Sequence, residues 1–250
     1  MQPSPGINDL LKAGCILCVQ PHYDDNDICA GGTLAALHDR GTELIYLTVT
    51  DDLVGVLDPS LPDETARARL RAEQLAAGEI IGVRRQLWLD YPDAGDFSYF
   101  ELRRQIVRYL RLLKPGFVFT CDPWLPYEAH LDHIRTGRAV AEAAILYNLP
   151  RFSSDPAVDA SYQPYQLTGI AFYMTNAPNL TFDMSLYHEK KQEALRCYQE
   201  QFTADETAMM LASLEAQERQ AGEAAGFQFG EELKLLSPRQ LHIDPHSWKA

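Results

Sequence analysis

Cys15-Ile16-Leu17-Cys18-Val19-Gln20 is a short apolar run that breaks at once into Pro21-His22-Tyr23-Asp24-Asp25-Asn26-Asp27. Its length and its abrupt polar end mark a buried strand followed by a loop. Working outward, a helix is predicted from about Asp27 to Arg40, with Gly41 as its stop. Leu44 to Val49, rich in β-branched and aromatic residues, reads as a second strand. A polar loop, Asp51 to Pro62, leads to a helix from Asp63 to about Gly82, and Leu87 to Leu89 is a short third strand. Ser98-Tyr99-Phe100-Glu101 is a capping box, behind which Leu102, Ile106, Leu110 and Leu113 share one helical face. Lys114-Pro115-Gly116 ends that helix, Phe117 to Cys121 is a fourth strand, and another helix runs from about Leu131 to Tyr147. Strand and helix alternate four times, which predicts a Rossmann-like, doubly wound α/β fold: a mainly parallel sheet with helices on both faces.

Beyond Tyr147 the pattern is less regular. Arg151 to Gln166, rich in Ser, Pro and Asp, reads as a loop. Gly169 to Met174 and Leu180 to Met184 are predicted strands joined by the turn Asn176-Ala177-Pro178-Asn179. Ser185 to about Glu200 and Asp205 to Gly222 are predicted helices. With 250 residues and no internal repeat, the chain is read as a single domain over residues 1–250. Its motif-bearing core spans about 14–147, and an irregular C-terminal third, about 148–250, is expected to close a site.

Composition narrows the function classes. With 46% hydrophobic and 23% charged residues the chain is an ordinary globular protein, which argues against disordered and fibrous classes. No stretch of about 18 consecutive apolar residues is present, so no transmembrane helix is expected. Met1-Gln2-Pro3-Ser4-Pro5 lacks the basic and apolar regions of a signal peptide. A net charge of −13 repels phosphate backbones and anionic lipid, so neither nucleic acid nor a membrane surface is an expected partner. Five cysteines and no secretion signal argue for a reducing, cytoplasmic compartment rather than a disulfide framework. Cys15 and Cys18 form a C-x-x-C, but on a strand they point to opposite faces and read as small core residues.

In an open parallel sheet, ligands bind beyond the carboxyl ends of the strands. Two polar clusters follow such ends: Pro21 to Asp27 after strand one, and Asp122 with Tyr127-Glu128-Ala129-His130-Leu131-Asp132-His133 after strand four. If both strands are central neighbours, the clusters face each other. Together they offer His22, Asp24, Asp25, His130, Asp132 and His133. Two imidazoles and a carboxylate are a hydrolytic zinc set, and zinc suits mixed nitrogen and oxygen donors better than magnesium or calcium does. Of two adjacent aspartates, one can bind metal while its neighbour serves as base. The plainer alternative is that Asp24, Asp25 or Asp27 caps the following helix and that the histidines are ordinary surface residues.

Pro21-His22-Tyr23-Asp24-Asp25, followed by Ala30-Gly31-Gly32-Thr33-Leu34, resembles the first signature of the LmbE-like (PIG-L) family of zinc-dependent N-acetylglucosaminyl deacetylases. His130-Leu131-Asp132-His133 resembles that family's second motif. Arg71 to Gly82 and Tyr91-Pro92-Asp93 resemble its third helix and substrate loop, and the likeness covers about residues 14–145. Among members, the diacetylchitobiose and small glucosaminide deacetylases look most similar. The resemblance implies one Zn²⁺ per chain, with Fe²⁺ as the alternative, held by His22, Asp25 and His133. It implies Asp24 as general base, His130 as the group that stabilises the oxyanion or protonates the leaving amine, and Asp132 as the carboxylate behind a histidine. Asp93 would hold sugar hydroxyls, and the histidine late in the chain, His242, would reach its own or a neighbouring active site. A homo-oligomer, trimer or hexamer, is likewise implied. Tyr23 stands where the family usually has Pro, Asn26-Asp27 replaces Glu-Glu, and Asp52 replaces a frequent Gly. The family's third-helix arginine falls on Leu70, between Arg69 and Arg71.

Several other residues carry expectations. Trp124, between two prolines beside the second motif, is expected to wall the pocket. Asp122 is expected to orient the loop of His130 or His133. Gly31-Gly32, with no phosphate-binding motif around it, is read as close packing of the helix on the strands. Tyr162, Tyr165, Phe172 and Tyr173 read as core and rim, Met209 and Met210 as packing a helix or a subunit contact, and His188 as solvated; His246, like His242, is left open between a site and an exposed tail. The expected function is zinc-dependent hydrolysis of the N-acetyl amide of a small N-acetylglucosamine-containing molecule. The alternatives are a zinc amidase for a thiol or glycoside conjugate, and a non-catalytic carbohydrate-binding relative.

Overall fold

The computed structural model describes residues 4–242 and 244–249; Met1 to Pro3, on which part of the signal-peptide reading rests, and Ile243 lie outside them. Strands β1 (Cys15–Gln20), β2 (Glu43–Thr50), β3 (Val83–Tyr91), β4 (Phe117–Cys121), β5 (Gly169–Tyr173), β6 (Leu180–Asp183) and β7 (Gly230–Leu236) form one sheet in the order β3-β2-β1-β4-β5-β7-β6. The first five run parallel, and β7 is antiparallel to both β5 and β6. The chain winds outward from β1 to β3, then returns to lay β4 on the other side of β1. That reversal opens a crevice at the carboxyl ends of β1 and β4.

Alternation along β1 divides the core in two. Ile16 and Cys18 pack with Leu34 and Ala35 of α2 (Asp25–Asp39) and Leu70, Ala77 and Ile81 of α3 (Asp63–Ile81). Leu17 and Val19 pack on the opposite face with Leu102 and Ile106 of α4 (Tyr99–Leu113) and Ala139 and Val140 of α5 (Leu131–Leu146). Each such fully buried Leu or Val contributes roughly 1.5–3 kcal/mol. Cys18 is in the first core and Cys15 packs against the second, as expected for core cysteines, and all five cysteines are free.

The last third differs from its reading. A short helix, Pro156–Ser161, interrupts the expected loop; the structure also has a four-residue helix at Ile7–Leu10. β5 and β6 are not hairpin partners, because β7 lies between them. The helix expected from Ser185 is confined to His188–Leu195, and the next spans Ala204–Ala225. His188 is buried rather than solvated: Glu218 is 2.9 Å from its Nδ1, and its ring stacks on Phe229. Gly31 and Gly32 do serve close packing, but against Lys191 and Met184 rather than the strands. Met210 packs on the core, whereas Met209 is exposed.

α5 approaches the end of β4 closely because residue 137 is glycine. A Cβ there would lie 2.5 Å from the carbonyl oxygen of Cys121 and 2.9 Å from Pro123 Cδ. Gly137→Ala is expected to destabilise the fold by about 1–3 kcal/mol through overpacking. Chemical denaturation would read this as a lower midpoint at unchanged slope; an unmoved midpoint would refute the packing account.

Candidate metal centre and active site

The site is built on the loop after β1. α2 begins at Asp25, two residues earlier than predicted, so Asp24 takes the N-cap position, yet its side chain makes no capping bond. The loop is pinned from several sides. Its Tyr23 N–H donates to Asp52 Oδ2 at 3.0 Å, and the Tyr23 carbonyl accepts from Gln20 Nε2 and Tyr198 Oη. Asp52 itself adopts a left-handed backbone, φ 56°, and also accepts from Gln201 Nε2. The backbone N–H of His22 donates to Asp25 Oδ2 at 2.8 Å, which turns the two side chains to one side.

The second loop follows β4, the neighbour of β1, so the two clusters meet as the topology predicts. His22 Nδ1 lies 3.3 Å from Asp25 Oδ2 and 3.3 Å from His133 Nε2, and His133 Nε2 lies 3.4 Å from Asp25 Oδ1. The two imidazole nitrogens and the Asp25 carboxylate, which turns a different oxygen to each, thus gather in one place, with one donor atom from each residue within 4.8 Å of the others. A tetrahedral Zn²⁺ with bonds of about 2.0–2.1 Å requires ligand separations of about 3.3–3.4 Å. The donor set and its spacing therefore fit a divalent metal of zinc's size.

His22 joins this group to another. Its Nε2 lies 3.3 Å from Asp93 Oδ1 and 4.0 Å from Asp132 Oδ2, and His22, Asp93, His130 and Asp132 also gather their donor atoms within 4.8 Å. Asp93 is the nearer carboxylate behind His22, a part the sequence assigned to Asp132 toward a histidine. Asp132 Oδ2 instead accepts the Ala94 N–H at 2.8 Å, which fastens the loop after β3 to α5. Asp93 Oδ2 accepts the Val54 N–H, so this aspartate is engaged at both oxygens. His130 caps α5, and its Nδ1 accepts the Asp132 N–H at 3.4 Å. That bond leaves Nε2 of the neutral ring as a donor.

Electrostatics divides the carboxylates. Burial, and then the charges of Asp25 and Asp52, push Asp24 well above the ordinary carboxyl range. Burial would also raise Asp25, but its bond to His22 and the charges of His22 and His133 hold it at about 2. Burial alone would lower His22, yet the hydrogen-bonded carboxylates of Asp25 and Asp93 push it up to about 12. Burial, followed by the charges of His22 and His133, lowers His130. The metal-free His22 is thus an imidazolium at neutral pH, and a metal must displace its proton. Calorimetric titration with Zn²⁺ at pH 7, in buffers of different ionisation enthalpy, should show at least one proton released per ion, with affinity rising with pH. Binding without proton release would contradict this charge state.

Other predicted residues are placed as follows. Trp124 is part-exposed, edge-on to Phe172, with Arg138 over its ring. Asp122 does not reach either histidine; its Oδ1 takes the Trp124 N–H at 2.9 Å. His242 is exposed beyond the 3₁₀ helix Pro238–Leu241 and belongs to neither donor group; His246 is exposed too. Residues the sequence reading passed over also bear on the site. Glu128 contacts both histidines of the second motif. Arg67, three positions before Leu70, pairs with Asp51 at 3.1 Å, and Asp51 accepts the Asp93 N–H. An acidic residue inside the motif was a usable signal for Glu128. Nothing local marks Arg67, whose partner is set by the loop after β2.

Residues 17–144 match the family described as GlcNAc-PI de-N-acetylase, PIG-L. The chain is 33% identical over 238 residues to the diacetylchitobiose deacetylase of Thermococcus kodakarensis, covering 95% of this chain and 88% of that one. It is 29% identical over 199 residues to a probable N-acetyl-alpha-D-glucosaminyl L-malate deacetylase 2 of Bacillus anthracis, covering 78% and 84%. The solved N,N'-diacetylchitobiose deacetylase from Pyrococcus horikoshii, complexed with its inhibitor, aligns with a TM-score of 0.89 at 35% identity, covering 96% and 90%.

Proposed function

Because this chain belongs to the GlcNAc-PI de-N-acetylase (PIG-L) family, we propose that it is a metal-dependent N-deacetylase that removes the acetyl group from a small N-acetylglucosamine-containing molecule. The observation that carries this reading is the triangle of His22 Nδ1, the Asp25 carboxylate and His133 Nε2, 3.3–3.4 Å on each side with a different Asp25 oxygen toward each histidine, next in sequence to Asp24, whose side chain makes no capping bond. We assign Zn²⁺ to the triangle, one ion per chain, with Fe²⁺ as the alternative. A bound ion of this kind supplies Lewis acidity to the amide carbonyl and acidity to the attacking water.

Asp24 takes a proton from that water. Its raised pKa suits it to hold the proton and pass it to the departing nitrogen. His130 donates from Nε2 to the oxyanion that forms on the amide carbonyl, and its lowered pKa keeps it a neutral donor. Asp93 holds His22, and its loop borders the space for the sugar; Trp124 offers an aromatic wall. The products are acetate and a free amine.

We read the chain as one domain. The five free cysteines support a reducing, cytoplasmic location, and among the described residues no helix is long and apolar enough to cross a membrane. A homo-oligomer, trimer or hexamer, with His242 facing a site, is what the resemblance implies. Acetate release from N-acetylglucosamine and diacetylchitobiose, with and without chelator and zinc add-back, tests the reading. Zinc-restored release is the expected result. No release from protein holding one metal per chain would move the substrate to another amide.

A further inference from the structure

We propose that Glu128 is a positioning residue that decides which nitrogen of His133 faces the metal. The inference rests on the reading of His133 as a ligand. One carboxylate reaches both histidines of the second motif: Glu128 Oε1 accepts the His130 backbone N–H at 2.7 Å, and Oε2 lies 3.3 Å from His133 Nδ1. The opposite nitrogen, Nε2, is the one turned to Asp25 and His22.

The chemistry follows from the tautomer. A neutral imidazole that offers Nε2 to a metal carries its proton on Nδ1, and a carboxylate accepting that proton selects this tautomer, fixes the ring plane and makes the ring a better donor. The neighbouring acids are committed elsewhere, Asp122 to the Trp124 N–H and Asp132 to the Ala94 N–H. The same carboxylate holds the His130 N–H at the start of α5. The proton-donating ring and the ligating ring are thereby set by one group.

The backbone supports the assignment. Tyr127, directly before Glu128, has a left-handed φ of 67° although it is not glycine, and its side chain is fully exposed. A non-glycine residue keeps that conformation only where its surroundings impose it. The Tyr127 ring makes no packing to impose it. The turn leads directly into Glu128, whose carboxylate contacts both histidines.

The test uses the full chain, with Zn²⁺ affinity measured by competition with a chromophoric chelator and thermal unfolding followed on the metal-free protein. Glu128→Ala is expected to weaken zinc binding about 10–100-fold, while the metal-free unfolding temperature falls only by what the one hydrogen bond to the His130 N–H contributes. Glu128→Gln, whose amide oxygen still accepts from Nδ1, should recover part of the loss. His133→Ala serves as the control. If it loses zinc while Glu128→Ala binds within twofold of the original chain, the Glu128 proposal fails and the ligand reading stands. If His133→Ala also keeps zinc, the ligand reading itself fails. A metal-free protein destabilised by Glu128→Ala beyond that one bond, with no recovery of affinity in Glu128→Gln, would make the role structural and overturn the proposal.

Discussion

Asp24→Asn is expected to lower turnover roughly 10²–10⁴-fold, the range for loss of a general base, with metal content unchanged. Three observations separate Asp24 from its neighbours. It is not one of the donor atoms in the His22–Asp25–His133 triangle. Its side chain makes no bond to the start of α2, so removing its charge should not fray the helix. Its pKa lies well above the ordinary range, chiefly through burial. For a carboxyl the sign of that shift is fixed. The folded state binds the proton more tightly than the unfolded chain, so Asp24 costs stability once pH rises above its unfolded value, near 4. Asparagine has nearly the same shape and no charge to bury. The metal-free variant should therefore unfold at the same temperature as the original chain near pH 3, and at the same or a higher temperature at pH 7. Turnover per bound metal and a pair of melting curves check both halves. Undiminished turnover would move the base to another residue.

His133→Ala should have the second large effect. It leaves His22 and Asp25 as two donors, and the loss in Zn²⁺ affinity should exceed the roughly 10–100-fold that an outer hydrogen-bond partner costs. Thermal stability gives a readout independent of activity. A protein that binds an ion only when folded gains about 2.7 kcal/mol at an ion concentration one hundred times Kd. At that zinc concentration the original chain should melt higher than its metal-free form, and the variant should not. Because His22 is shared with a second donor group, His130→Ala discriminates between them. If that variant loses the zinc-dependent shift and His133→Ala keeps it, the metal sits among His22, Asp93, His130 and Asp132 instead.

The parallel half of the fold was legible because each strand and helix there carries its own periodicity. Leu102, Ile106 and Leu110 announce the buried face of α4 without reference to anything distant. β7 was not legible: Glu231 and Lys234 interrupt its apolar pattern, and they are nevertheless buried. Glu231 is neutralised by Lys191 at 2.7 Å and accepts the N–H groups of Gly32 and Thr33, partners some 40 and 200 positions away. His188 was misjudged for the same reason, its acid being Glu218, 30 positions on. In the site, the meeting of His22, Asp25 and His133 was readable from two polar clusters at adjacent strand ends, and the family resemblance singled these three out as the proposed ligands. The parts of Asp93 and Asp132 were not, because the choice between them depends on how the loop after β3 turns at Ala94, where φ is 50°.

Tyr198 Oη bonds both the Tyr23 carbonyl and Asp27, Gln201 holds Asp52, and Glu231 holds the backbone of α2. The segment after α5 therefore cannot be swapped for that of a relative as a detachable cap. A chimera joined just past Leu146 would need to import these three anchors in register with the host's first loop. Libraries aimed at altered selectivity should diversify the surface turns between the anchors and leave Tyr198, Gln201 and Glu231 untouched.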